Sequence, residues 1–166
     1  MEKISEKEFL EQVTRHQNII HKVCNMFCRD EDDRRDLFQE ITIKLWMGHE
    51  SYAGQAAFTT WMYRVALNTA ITLNRKKKKS QETQSLHPNI PAYTEEEGGV
   101  SQAEIDELYG AINRLESIDR AIILLYLEEK PYEEIAEIMG ITRTHVGLKI
   151  TRIKRKLEKN LQHIKD

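Results

Sequence analysis

An all-α fold is predicted for this chain, arranged as two small helical domains, and three observations predict it. Glycine and proline together number ten in 166 residues, about half the ordinary share, so turns are few and helices long. Apolar residues recur every three or four positions through most of the chain, the spacing of a helix with one buried stripe. Charged residues make up 31% against 40% apolar, which suits a folded, charge-rich, soluble protein.

Each element follows from local signals. Ser5 followed by Glu8 is a capping box, and Phe9, Val13, Ile20, Val23, Cys24 and Phe27 then repeat at helical spacing, predicting one helix from about Glu6 to Phe27. After the polar turn RDEDD, Leu37, Phe38, Ile41, Leu45 and Trp46 predict a second helix ending near Gly48. Its acidic start faces the positive end of the helix dipole. HESYAGQAA has no periodicity and is expected to be a loop. From Ala57 to about Lys78, Phe58, Trp61, Met62, Val65, Ala66, Thr69 and Leu73 can share one stripe of a long helix. That helix ends in the basic run RKKKK.

Residues 80–100, SQETQSLHPNIPAYTEEEGGV, hold two of the three prolines and a glycine pair, and read as a linker between a domain over 1–79 and another over 101–166. Fully extended it would reach ~70 Å, and as a coil ~25 Å. Ser101 and Glu104 form a second capping box, followed by Ile105, Leu108, Ile112 and Leu115 at helical spacing. The run AIILLYL, too short to cross a membrane, fits a buried helix. Beyond it, a helix with Pro131 at its first position and with Ile135, Ala136 and Met139 stops at Gly140, and Thr142 caps a second helix carrying Val146, Ile150, Ile153 and Leu157. This is a helix-turn-helix.

Charge is sorted along the chain, although the net value is −2. Residues 75–79 carry five positive charges, residues 81–108 carry seven negative ones and no Lys or Arg, and residues 141–166 have a surplus of six positive charges. Two basic surfaces flanking an acidic spacer suit either a polyanion held at two places or merely two hydrated helix faces. The outward face of the last helix offers Arg143, Thr144, His145, Lys149, Arg152 and Arg155, and in helix-turn-helix motifs the start of the second helix reads base edges while basic side chains hold phosphates.

In the first half, Asp36, Gln39, Glu40 and Ile43 form a dockable acidic stripe on one helix face. The long helix interleaves Phe58, Trp61 and Tyr63 with Arg64, Asn68, Asn74 and Arg75. That mix suits single-stranded nucleic acid: rings stack bases, cations hold the backbone, amides meet base edges. Each aromatic taken alone also fits a core. His21, Cys24 and Cys28 share one helix face, but no fourth ligand at a standard spacing accompanies them, so core cysteines are expected and no metal. There is no catalytic signature and no cofactor motif. The start MEKISEKEFLEQ lacks an apolar core and a cleavage signal, so a cytoplasmic protein without membrane insertion is expected.

Taken together, these segments resemble the extracytoplasmic-function (ECF) group of bacterial RNA polymerase sigma factors. RRDLFQEITIKLW resembles region 2.2 of that family, FTTWMYRVALNTAI regions 2.3 and 2.4, and LESIDRAIILLYLEEKPYEEIAEIMGITRTHVGLKITRIKRKL region 4. The resemblance implies that Asp36, Gln39, Glu40 and Ile43 dock on the clamp helices of the β′ subunit of core polymerase, with the β subunit also in contact. It implies that the loop with Ser51, Tyr52 and Gln55 takes a flipped base of the −10 element, and that Trp61, Arg64, Asn68 and Arg75 line the unpaired strand. Thr142, Arg143, Thr144, His145, Lys149, Arg152 and Arg155 would face the −35 duplex. Promoter DNA and core polymerase are the implied partners, and an anti-sigma factor is a further one common in the group. One departure stands out: where many members carry Arg then Ser after the valine of the recognition helix, this chain has Gly147 and Leu148. The glycine suggests a close approach by DNA or another backbone. A rival reading is a helix-turn-helix regulator whose N-terminal helices sense a signal or form a dimer.

Overall fold

The computed structural model describes residues 3–80, backbone alone for 79 and 80, and 101–161; the linker expected over 80–100 falls almost wholly outside them. Among the described residues there are eight helices and no strand: α1 (Glu6–Arg15), α2 (Gln17–Phe27), α3 (Glu31–Gly48), α4 (Phe58–Ser80), α5 (Gln102–Asn113), α6 (Ser117–Leu127), α7 (Tyr132–Met139) and α8 (Arg143–Leu161).

The capping boxes form as the sequence requires. Ser5 Oγ accepts from the Glu8 N–H at 3.2 Å while the Glu8 carboxylate accepts from the Ser5 N–H at 3.1 Å, and Ser101 with Glu104 repeats the exchange. The single helix expected over Glu6 to Phe27 is corrected: it is two. His16 takes φ −108° and ψ 19°, its N–H still reaching Gln12 O but the ladder restarting with Ile19 N–H on His16 O. Thr14, His16 and Asn18, all weak helix formers, cluster at the break.

The first module is a bundle of α2, α3 and α4 with α1 laid on it. Its core is Ile20 and Val23 from α2, Ile41 and Leu45 from α3, and Met62, Ala66 and Leu67 from α4, closed by Phe9. In the second module, Ile112, Leu115, Ile122, Leu125, Ile135, Val146, Ile150 and Ile153 pack between α5, α6, α7 and α8.

The two modules lie against each other. On α4, Met62, Tyr63, Ala66, Leu67, Ala70 and Ile71 are all buried, an arc of roughly 180° at about 100° per residue, wider than the one-sided stripe of a surface helix. The extra width is covered by α6 and α7. Correspondingly, Ala121 through Leu125 of α6 are buried without interruption, which is why that segment reads as an apolar run without periodicity. Asn74 Nδ2 donates to Ser117 Oγ at 2.5 Å, Lys22 Nζ pairs with Glu128 at 2.5 Å and Arg64 donates to the Glu137 carbonyl at 2.8 Å. Arg120 is buried with its guanidinium 5.3 Å from the Phe27 ring centroid. Burial, and after it Arg29, brings its pKa down to about 10, so it stays cationic at neutral pH.

The helix-turn-helix closes on Gly140, whose φ of 70° and ψ of 33° are left-handed. The N–H groups of Gly140 and Ile141 both reach Ala136 O, and Thr142 Oγ1 accepts from the His145 N–H at 3.1 Å. Pro131 is the residue before the first helical position, not the first itself: its carbonyl accepts from Glu134 and Ile135, and Tyr132 opens α7.

Two glycine-to-alanine changes should move stability in opposite directions. At Gly140 a Cβ meets nothing within 4 Å, but the left-handed backbone penalises it, so Gly140→Ala should destabilise by about 1 kcal/mol. At Gly147, inside α8, the new Cβ would lie 3.8 Å from the Tyr132 ring, ordinary contact, so Gly147→Ala should stabilise by about 0.5–1 kcal/mol. Denaturant midpoints that shift the same way for both would contradict this account.

Candidate nucleic-acid interface

The second helix of the helix-turn-helix turns a mixed face to solvent. With Val146, Ile150 and Ile153 inward, Thr144, Leu148 and Arg155 point away from the core to within roughly 30°, and Thr151 and Arg152 flank them. All five are exposed. Arg152 and Arg155 pair with no acidic group among the described residues, and His145 is exposed beside them. Arg143 meets Glu133 of α7 at 3.2 Å with both side chains largely in water, a pair that contributes little. Thr142 is committed to the cap.

Lys149 needs correction. It does not share the outward face: its Nζ lies 3.2 Å from Asp119 Oδ1, and Lys156 Nζ lies 3.3 Å from Oδ2 of the same carboxylate. Asp119 is 5% exposed at its side chain, and the two lysines supply its counter-charge inside the module. Nor does the expected close approach of another backbone at Gly147 occur among the described residues, where the Tyr132 ring is what lies near.

On the first module, the loop between α3 and α4 is held in shape by its own hydrogen bonds and by an aromatic cluster. Ser51 Oγ donates to Gly48 O at 2.8 Å, Gln55 Oε1 accepts from the Ala53 N–H at 3.1 Å, and Tyr52 OH donates to Ala56 O at 2.6 Å. The Tyr52 ring lies 5.1 Å from Trp61 and 5.5 Å from Phe58, and Phe9 meets Trp46, Phe58 and Trp61 edge-on. Buried His49 bonds Trp46 O through Nδ1. Ser51 and Gln55 are exposed while Tyr52 and Trp61 are half-buried, and the exposed Asn68 and Arg75 follow Trp61 at seven-residue steps along one side of α4, about 10 and 21 Å further on. Tyr63, by contrast, is core; burial first, then Glu128 and Glu134, pushes its phenol up to about 12. Arg64 is engaged by α7 through Glu137 O.

Along α3, Asp36 and Gln39 are exposed and Glu40 half-buried, and the row continues through Ile43 at 51%, Trp46 at 43% and Met47 at 69% exposure. The acidic stripe was legible in the sequence; that it ends in an uncovered apolar patch was not, because Trp46 also fitted the core periodicity. His21 tilts against Phe38 at 4.8 Å and Cys24 is buried. Burial raises the thiols of both cysteines, Cys24 to about 12, and no group of three metal-ligating side chains occurs among the described residues.

Residues 12–80 match the family model for sigma-70 region 2 and residues 98–157 that for sigma-70 region 4. Over 170 residues the chain is 31% identical to the ECF RNA polymerase sigma-E factor of Haemophilus influenzae, covering 94% of this chain and 88% of that protein. The chain belongs to the ECF RNA polymerase sigma factors. The Escherichia coli K12 sigma-E factor is also 31% identical, over 98% of this sigma factor and 91% of its own length. Two solved structures share the fold. One is the sigma factor RpoE in complex with the anti-sigma factor NepR from Bartonella quintana, with TM-score 0.75 over 94% of this chain and 98% of that one at 18% identity. The other is CnrH in complex with the cytosolic domain of CnrY, with TM-score 0.69 over 96% and 90% at 19% identity. This ECF sigma factor is therefore an alternative sigma factor that initiates transcription, and among its described residues no helix is long and apolar enough to cross a membrane.

The lysine pair gives a test of how the recognition helix is anchored. Lys149→Met with Lys156→Met leaves Asp119 buried without its counter-charges and should destabilise by about 2–3 kcal/mol, below the range for fully buried pairs because both lysines are partly in water. Thermal unfolding checks it; an unchanged midpoint would mean the carboxylate needs neither lysine.

Proposed function

We propose that this sigma factor docks on core polymerase through α3, opens the −10 element with the α3–α4 loop and α4, and anchors on the −35 duplex with α8, in the cytoplasm. The observation that carries the docking role is the face of α3, where Asp36, Gln39 and Glu40 lead into the uncovered Ile43, Trp46 and Met47. Charged groups steer and orient a partner, and an apolar centre supplies affinity; the β′ clamp helices, with the β subunit nearby, are the proposed partner.

Ser51, Tyr52 and Gln55 are proposed to take an extruded base, and Trp61, Arg64, Asn68 and Arg75 to follow the unpaired strand. Melting requires unstacking base pairs, and a protein that captures a flipped base and stacks its neighbours lowers that cost. The half-buried rings of Tyr52 and Trp61 support this reading, since they are fixed in place before DNA arrives. Arg64, however, donates to Glu137 of α7. That bond must break before Arg64 can meet a strand, and polymerase docking is proposed to part the modules and free it. The linker's extended reach of ~70 Å then equals about two turns of B-form DNA. Chemistry belongs to the polymerase; this subunit selects and melts.

An anti-sigma factor is a further proposed partner, supported by the two structural neighbours, each solved with a regulatory protein named in its description. It would compete for the α3 face. The rival reading, a regulator without polymerase contact, is not favoured, because residues 12–80 match the sigma-70 region 2 model.

Run-off transcription with purified core polymerase on genomic fragments is the deciding experiment, with specific initiation expected; binding without initiation would favour the regulator. Asp36→Arg with Glu40→Arg should abolish co-purification with core while leaving the helical circular dichroism intact, and retained co-purification would remove α3 from the docking face. Arg152→Ala should weaken duplex binding and make its salt dependence shallower by roughly one phosphate's worth; an unaltered slope would take Arg152 off the phosphate.

A further inference from the structure

At the centre of the outward face of α8, where a DNA-reading helix would carry polar groups, stands Leu148. Its side chain is 54% exposed, and it points almost directly away from Val146, Ile150 and Ile153. No packing demand explains a leucine here: the core beneath it is closed by those three residues, each at most 1% exposed. Its neighbours on the face add little hydrogen-bonding capacity. Thr151 lies three residues on, and its hydroxyl donates back to the Gly147 carbonyl at 3.0 Å, so it leaves a partner its methyl and an acceptor oxygen but no donor. Thr144, one turn earlier, is exposed and brings a hydroxyl and a methyl.

Around this small apolar strip the surface is cationic. Arg152 and Arg155 are exposed and pair with no carboxylate among the described residues, while Lys149 and Lys156 share the single carboxylate of Asp119. An apolar strip within a cationic rim fits a polyanion that carries apolar groups on its readable edge. The major groove of duplex DNA has one such group, the 5-methyl of thymine, and apolar side chains are its usual readers.

We propose that Leu148 is a specificity residue that reads a thymine of the −35 element through its 5-methyl group, with the Thr151 methyl beside it. The proposal rests on the reading of α8 as the duplex-binding helix and adds to it which base chemistry that helix selects. The discrimination is apolar contact, not hydrogen bonding, so its size is that of burying about one methyl group, roughly fourfold in affinity.

The test uses holoenzyme assembled from core polymerase and the full chain. A duplex is selected from a pool randomised over the −35 element, and each thymine in the selected site is replaced in turn by deoxyuridine, which removes the 5-methyl and leaves every hydrogen-bonding group in place. At one position, the wild type is expected to lose about fourfold in affinity, and Leu148→Ala to bind the thymine and uracil duplexes equally. Replacing a cytosine by 5-methylcytosine at that position should restore part of the affinity for the wild type alone. Leu148 is exposed, so the variant should fold; an unchanged thermal midpoint checks this.

Specific selection with no uracil effect at any position, or a uracil effect that persists in Leu148→Ala, overturns the methyl-reading role while leaving α8 as the duplex reader. Failure to select any −35 sequence overturns both. A wild-type uracil effect abolished by Leu148→Ala, with Arg152→Ala instead weakening thymine and uracil duplexes alike, establishes the assignment.

Discussion

The structure depends on α4 having to be buried on two sides. A helix with one apolar stripe can satisfy itself against one bundle; α4 presents an arc about twice that width, from Met62 round to Ile71, and so needs a second layer. That layer is α6, which is itself buried throughout the run Ala121 to Leu125. Neither is a surface helix with a single buried stripe. The helix proposed to line the melted strand is thus also the helix that holds the duplex-reading module: Asn68 and Arg75 lie on its free side, and Arg64, at the border, is the residue that both tasks use.

The charges divide along similar lines. Those between the modules are engaged: Lys22 with Glu128, Arg64 with the Glu137 carbonyl, Lys130 with its Nζ 5.3 Å from the Tyr63 ring centroid. Those that brace the recognition helix are engaged too, with Lys149 and Lys156 on Asp119. Of the exposed α8 cations that meet no carboxylate among the described residues, Arg152 and Arg155 lie toward the outward face, where the duplex is proposed to lie. Counting basic residues in the sequence therefore overstates the binding surface. Electrostatic attraction to DNA depends on the cations that are not already neutralised at short range.

Much of the fold could be read beforehand because its signals are local. Ser5 with Glu8, Ser101 with Glu104, and Gly140 before Thr142 each declare a helix end through chemistry within four residues, and all form in the structure. The break at His16 was not legible, since Phe9, Val13, Ile20 and Val23 keep one phase across it and the periodicity masks the interruption. For the candidate sites the division is sharper. Sequence spacing placed Asp36, Gln39, Arg152 and Arg155 on exposed faces, where they are found. It misjudged Lys149, because its partner Asp119 is thirty residues away, and no local pattern announces a pairing of that range. The contact of α7 with Arg64 was equally hidden, as the residues are seventy-three apart in sequence.

The contacts between the modules are of a kind that can be undone. Partly exposed ion pairs contribute at most about 1 kcal/mol each, and a side chain donating to a backbone carbonyl exchanges readily with water. One member of the interface even opposes closure. Arg120 is buried against Phe27, and its Nε has no hydrogen-bond partner among the described residues; an unsatisfied buried donor costs about 1–3 kcal/mol. Lifting Phe27 away would admit water to that nitrogen and recover part of this cost, offsetting the loss of apolar contact along α4 and α6. A tightly sealed interface would make the two readers permanently unavailable to separated DNA sites, whereas one that carries its own unpaired charge can be parted by a partner that binds only one module. The α3 face, lying outside the contact between the modules, is placed to receive such a partner without first breaking that contact.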